Sequence, residues 1–330
     1  MKILIIKLGA KGDVIRTLPI LVALKEKYPA SEIWWITKPQ SKEILETIPN
    51  ITKVLTNSIN ESLGKFDILY NFDIEQEATK LAREINADKK YGFYSEADNN
   101  YALAFNLPAE YYLNTLFDDE LKKANKKTYQ EMMFQAAELP WKKQHHPIFL
   151  NEQSKRYAEN FVKQRNINTE KLVGIHMGSS PRWPSKAWHE DKIKEFIKKA
   201  KQKGYEILLF GGPDEPERHK RLVEELIQEK TEVYYNNSKN SDLEFASLVN
   251  LCKAIISSDT LALHVSLALK KPTIALFFCS SPHEVEDYGL LKKIVSPRLY
   301  DFFPEKMDQY SEELIQSISV EEVLKVLESI

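Results

Sequence analysis

The chain has 330 residues, 46 of them basic and 48 acidic, for a formal net charge of −2, with 43% hydrophobic and 28% charged residues. That length accommodates two domains of ordinary size, and the composition excludes disordered, collagen-like and coiled-coil chains. The near-zero charge argues against a dedicated nucleic-acid binder, which would carry a strongly basic domain.

Cys252 and Cys279 are the two cysteines, and neither has a partner at metal-ligand or CxxC spacing, so a reducing compartment is expected. The first apolar run, residues 3–6, is too short for a signal-peptide core, and no later run approaches the roughly 18 residues that span a bilayer. A cytoplasmic chain follows as the expectation.

Short apolar runs at 3–6, 33–36, 68–70, 172–175, 207–210, 254–256 and 273–278 read as strands of a parallel sheet buried on both faces. Helix-period segments at 13–27, 76–85, 191–203, 215–229, 242–251 and 261–270 alternate with them, which predicts an α/β fold with right-handed crossovers. The rhythm weakens between about 95 and 150 and restarts at 172 after a polar helical stretch, 152–165. Two doubly wound, Rossmann-like domains are therefore expected, 1–150 and 151–330, facing a central crevice at their strand ends. A final amphipathic helix, 319–330, has room in this scheme to pack back on the first domain. Glycine is scarce, at 10 residues, or about 3% against a usual ~7%. Gly9, Gly12, Gly178, Gly211 and Gly212 fall just after predicted strands, where tight strand-to-helix turns are expected.

The first such turn reads KLGAKGDVIRTLP. Asp13 stands at the head of a helix, either as its cap or as a functional carboxylate. The GAKG spacing and a second strand ending at Thr37-Lys38 disfavour a dinucleotide fingerprint. The turn after 172–175 reads HMGSSPRWPSKAW, where Ser179, Ser180, Arg182 and Lys186 form either a phosphate-binding group or an ordinary polar loop. In SSDTLALHVSLALKKP, Asp259 closes a strand, Thr260 is placed to cap the next helix, and His264 lies one turn on, so that hydroxyl, imidazole and helix N-terminus converge on a phosphate-sized site. Asp214, in GGPDEPE, begins a helix as a cap or as a partner for a polar ligand group. His176 is expected to pack at a strand end. The tandem His145-His146 reads as a solvent-exposed connection, and the lysines of 192–203 as a solvated helix face.

These segments resemble the ADP-heptose:lipopolysaccharide heptosyltransferases, glycosyltransferase family 9, of two-domain GT-B architecture. The resemblance rests on Gly12-Asp13, Thr17-Leu18-Pro19 and Tyr28-Pro29 near the start, and on Asp259, Thr260 and His264 in the family's D-T-G-x-x-H signature. It implies an acceptor-binding first domain and a nucleotide-sugar-binding second domain. It implies Asp13 as general base, Ser179, Ser180, Lys186, Asp214, Asp259, Thr260 and His264 on the donor side, and no metal or other cofactor. On the acceptor side we expect Lys11 and Arg16, in reach of an acidic group of the glycolipid or paired at the surface. The implied partners are ADP-heptose and a lipopolysaccharide-type glycolipid, with weak peripheral contact at the inner membrane and no nucleic acid. Two departures bear on donor identity: Leu261 replaces the signature glycine, and FFCSSP replaces the common FGPT-type loop. Another nucleotide sugar, or a catalytically silent nucleotide-binding homologue, are the alternatives those departures leave open.

Overall fold

The computed structural model describes residues 1–57, 63–97, 101–212 and 216–330. The chain divides into two compact units, Met1–Phe149 with His283–Glu286, and Leu150–Pro282 with Asp287–Ile330.

The first unit holds β1 (Lys2–Ile6), β2 (Glu32–Thr37), β3 (Lys53–Thr56), β4 (Phe66–Asn71), β5 (Ala87–Tyr94) and β6 (Leu103–Ala104). They form one sheet in the order β3-β2-β1-β4-β5-β6, parallel except for the antiparallel β5–β6 pair. The second unit holds β7 (Leu172–His176), β8 (Glu206–Phe210), β9 (Tyr234–Tyr235), β10 (Ala254–Ser258), β11 (Thr273–Phe277) and β12 (Leu291–Val295). Their order is β12-β11-β10-β7-β8-β9, parallel throughout. Both are doubly wound sheets, in which the chain leaves one central strand outward and later restarts on its other side, between β1 and β4 and between β7 and β10.

All seven strands expected from apolar runs are present. The five others, β3, β5, β6, β9 and β12, carry exposed or half-buried positions. Four of them are sheet edges, where one side meets solvent and a continuous apolar run is not needed.

The segment 13–27, expected as one helix, is two: Lys11–Thr17 and Ile20–Lys27. Pro19 has no N–H to give and its ring would clash with the carbonyl four residues back, so the first helix closes at Leu18, whose N–H reaches Ile15 O at 3.1 Å. The last helix, Val320–Leu327, belongs to the second unit. Its Val323, Leu324 and Leu327 join a core with Phe196, Ile197, Leu222 and the inward faces of β7 and β8. The lysines of 192–203, on helix Glu190–Gln202 and its C-cap, are not a merely solvated face: Lys194 pairs with Glu225, Lys198 with Glu229, Lys199 with Glu321 and Lys203 with Glu328. They tie this helix to helix Pro216–Gln228 on one side and to the last helix on the other.

The glycines after strands do not act through left-handed backbone, since the positive-φ glycines among the described residues are Gly64, Gly92, Gly204 and Gly289. Gly211 acts through space: a Cβ there would lie 2.6 Å from the His219 ring. Gly92 is constrained twice, by φ of +88° and by Asn71 O, which a Cβ would meet at 1.9 Å. Gly92→Ala is expected to destabilise the first unit by at least about 2 kcal/mol, read as a lower midpoint in urea unfolding.

Candidate active site

In an open α/β sheet, ligands bind outside the carboxyl ends of the strands where the winding direction reverses. In the first unit that point lies between β1 and β4, and two charged side chains meet there. Lys7, just past β1, donates from Nζ to Asp73 Oδ1 at 3.2 Å and to Phe72 O at 2.8 Å. Asp73, just past β4, accepts on Oδ2 from Leu8 N at 2.5 Å and Gly9 N at 2.7 Å. Both are buried. Burial pushes the Lys7 ammonium down, but Asp73 first and then Tyr129, Asp13 and Tyr112 outweigh it and hold Lys7 well above its ordinary range. Asn71 seats the carboxylate's own backbone, donating to Asp73 O and to Phe93 O while accepting from Asp73 N.

Asp13 is not a helix cap. Ala10 holds the N-cap position of helix Lys11–Thr17 without a side-chain bond, and Asp13 sits in the first turn. Its Oδ1 lies 2.7 Å from Arg16 Nη2, with side-chain exposures of 32% for Asp13 and 17% for Arg16. Gly9 makes room for this carboxylate, since a Cβ there would lie 3.2 Å from Asp13 Oδ2. Arg16 is thus paired within its own helix, its guanidinium carbon 3.7 Å from the centroid of the Tyr129 ring. Lys11 begins the same helix, half-buried.

In the second unit the reversal lies between β7 and β10, and residues 73 positions apart in sequence meet there. Lys186 Nζ donates to Asp259 Oδ2 at 2.9 Å and to Asp259 O at 3.3 Å. His264 Nε2 lies 3.7 Å from Asp259 Oδ1. Thr260 occupies the N-cap position of helix Leu261–Ala268, yet its hydroxyl makes no capping bond. That corrects the sequence expectation: Thr260 Oγ1 instead lies 3.0 Å from Ser257 Oγ and 3.3 Å from His176 Nδ1. Burial, and secondarily His219, push the His176 imidazole down to about 4, so the ring is neutral.

Ser179 and Ser180 lie in the turn before Lys186. Ser179 Oγ donates to Trp183 O at 3.2 Å, and Ser180 Oγ accepts from Arg182 N at 3.3 Å. Asp214 falls outside the described residues. Cys279 of the FFCSSP loop lies within electrostatic reach of Lys186 and Asp259: burial pushes its thiol up to about 11, Lys186 pulling it down and Asp259 raising it. His146 is buried, with Nδ1 2.7 Å from Pro147 O. The expected exposed connection therefore holds a packed imidazole, whose charged form burial disfavours.

Sequence reasoning passed over Lys7, Asp73 and Tyr129. A signal existed for the first two: each is a charge set directly at the carboxyl end of an apolar strand, on segments predicted for one sheet. Tyr129 had none, because its segment showed no strand-helix rhythm.

A sequence model described as glycosyltransferase family 9 (heptosyltransferase) matches residues 58–313. The chain is 26% identical to lipooligosaccharide heptosyltransferase 2 of Haemophilus ducreyi, over 91% of this chain and 89% of that protein. It is 22% identical to lipopolysaccharide heptosyltransferase 2 of Salmonella typhimurium, over 86% and 84%. In fold it is similar to a family 9 glycosyltransferase from Veillonella parvula, with a TM-score of 0.76 at 20% identity over 99% and 96% of the two chains. It is similar also to ADP-heptose lps heptosyltransferase II of E. coli, with a TM-score of 0.72 at 19% identity over 100% and 98%.

The His176 environment carries a pH dependence. The folded state holds this ring near 4 while an ordinary imidazole titrates at 6.5, so between those values the unfolded chain binds a proton that the folded chain refuses. Its contribution is nil above pH 6.5 and destabilising as pH falls toward 4. Calorimetry at pH 7 and pH 5 should show a smaller drop in Tm for His176→Gln than for the unsubstituted protein.

Proposed function

Because the chain belongs to glycosyltransferase family 9, the heptosyltransferases, we propose that it transfers heptose from ADP-heptose to a lipopolysaccharide core, with inversion and without a metal ion. The observation that carries the reading is the convergence of Lys186, Asp259, Thr260 and His264 at the carboxyl ends of β7 and β10.

In the reaction the acceptor hydroxyl oxygen attacks the anomeric carbon while the bond from that carbon to the diphosphate oxygen breaks. Asp13 takes the hydroxyl proton, and ADP leaves with the electron pair. Lys186 is the cation for the leaving diphosphate, held in position by Asp259, whose charge it shares with His264. Thr260, Ser179 and Ser180 supply hydroxyls to the phosphate oxygens, the N-terminus of helix Leu261–Ala268 adds its dipole, and Asp214 is a partner for a polar group of the donor. An ammonium, hydroxyl donors and a helix terminus offset part of the charge that develops on the leaving diphosphate, and on this reading the protein supplies that stabilisation in place of a divalent ion. Lys11 is the acceptor-side cation, while Arg16 stays with the Asp13 carboxylate. The acceptor places the enzyme at the cytoplasmic leaflet, with weak and reversible contact; no helix among the described residues is long and apolar enough to cross it.

A panel of ADP-heptose, UDP-sugars and GDP-sugars against a truncated lipopolysaccharide core tests the donor. Turnover with ADP-heptose is expected; preference for a UDP-sugar sinks the heptose assignment, and tight donor binding with no transfer to any acceptor favours a silent homologue. Asp13→Asn should retain donor binding and lose about 10²- to 10⁴-fold in kcat, the usual worth of a general base; near-normal kcat removes Asp13 from the chemistry. Lys186→Ala should lower kcat/KM by about 10²-fold or more, beyond its effect on donor Kd, and EDTA should leave the unsubstituted enzyme active. Loss of activity in EDTA with recovery on adding a divalent ion contradicts the metal-free route.

A further inference from the structure

Tyr129 begins helix Tyr129–Ala136 and is fully buried, more than a hundred residues from the turn that carries Asp13. It nevertheless touches that turn in three ways. Its ring lies under the Arg16 guanidinium, 3.7 Å from centroid to carbon. Its hydroxyl lies 3.1 Å from Thr17 Oγ1. Its ring also lies 5.5 Å from Lys7 Nζ. Thr17 Oγ1 donates its one proton to Asp13 O at 2.7 Å, so at the Tyr129 contact the phenol must be the donor. One residue thus reaches Asp13 by two routes: through Arg16 to the carboxylate, and through Thr17 to the backbone carbonyl. Tyr112, from helix Leu107–Phe117, meets the Tyr129 ring edge-on with centroids 5.9 Å apart and leaves it little room to turn.

We infer that Tyr129 is a positioning residue for the base: it holds the Arg16 guanidinium over its ring face and so fixes the direction in which the Asp13 carboxylate faces. This rests on the reading of Asp13 as the base. A guanidinium left to rotate would draw the carboxylate through several orientations, and misplacement of about 1 Å at a reacting group is worth on the order of 10²-fold in rate. Stacking an arginine on an aromatic face removes that freedom, which a lysine ammonium in the same place could not do.

The test is a double-mutant cycle on kcat. Tyr129→Leu should lower kcat about tenfold to a hundredfold with donor KM within about twofold, Tyr129→Phe should recover most of the loss, and Tyr129→Leu should have little further effect in an Arg16→Met background. Additive losses, or a Tyr129→Leu enzyme with normal kcat, overturn the inference. Should Tyr129→Leu fail to fold, Arg16→Lys serves in its place: it keeps the charge, removes the planar face and leaves the core intact, and normal kcat in that variant is equally fatal.

A second measurement needs no substrate. The ¹³C-carboxyl titration of Asp13, assigned by its loss in Asp13→Asn, should move to higher pH in Arg16→Met, which removes the cation, and in the same direction but by less in Tyr129→Leu, which keeps the cation and frees it to turn. The other charged and titratable groups around Asp13, namely Lys7 with Asp73 behind it, Lys11 and Tyr112, are common to all these proteins. A Tyr129→Leu titration matching the unsubstituted protein refutes the positioning role. Normal kcat in Asp13→Asn instead refutes the base, and the titration then judges the geometry by itself.

Discussion

The first unit is organised around one buried ion pair, Lys7 with Asp73. Two charges taken out of water are tolerable only when nearly every polar atom is satisfied, and here the carboxylate accepts one ammonium and two backbone amides while the ammonium also donates to a carbonyl. Those two amides belong to Leu8 and Gly9, the residues that carry the chain from β1 into the helix of Asp13. The pair therefore sets the path of the turn, and the turn sets where the candidate base can be. Gly92 belongs to the same construction, because its lack of a side chain admits the backbone of Asn71, which in turn seats Asp73.

The second unit repeats the arrangement with a different balance. A lysine and an aspartate again meet where the winding reverses, Lys186 following β7 and Asp259 following β10, but both side chains retain 16% exposure. A sealed pair can only hold structure, whereas a pair open to solvent can exchange part of its interaction for a ligand anion. That difference in access, more than any difference in residue type, separates the structural lysine from the one proposed to meet the donor.

The central strands were legible because both of their faces are buried, as in ILII of β1 and AIISS of β10, and runs this short are too brief for a buried helix. Edge strands such as β12, with LKKIV, need no such run and were invisible to the same reasoning. Asp13 was ambiguous in sequence because a first-turn carboxylate serves equally well as cap or reagent. Only the position of Ala10 at the cap and of Arg16 against the carboxylate separates the two. Thr260 misled for the opposite reason: it holds the cap position, but Ser257 and His176 draw its hydroxyl away from the helix. Tyr129 could not be found at all, since its contact with Arg16 spans more than a hundred residues and leaves no local pattern.

Both cysteines lie in the second unit, fully buried. Burial pushes their thiols upward, Cys252 further than Cys279. A thiolate is the species that reacts, so neither sulfur is open to alkylating or oxidising reagents while that unit is closed. The first unit has no thiol to contribute. The rate of modification by a small electrophile is consequently a clock for the opening of the second unit alone, and it separates the breathing of one half of this enzyme from that of the other without any label.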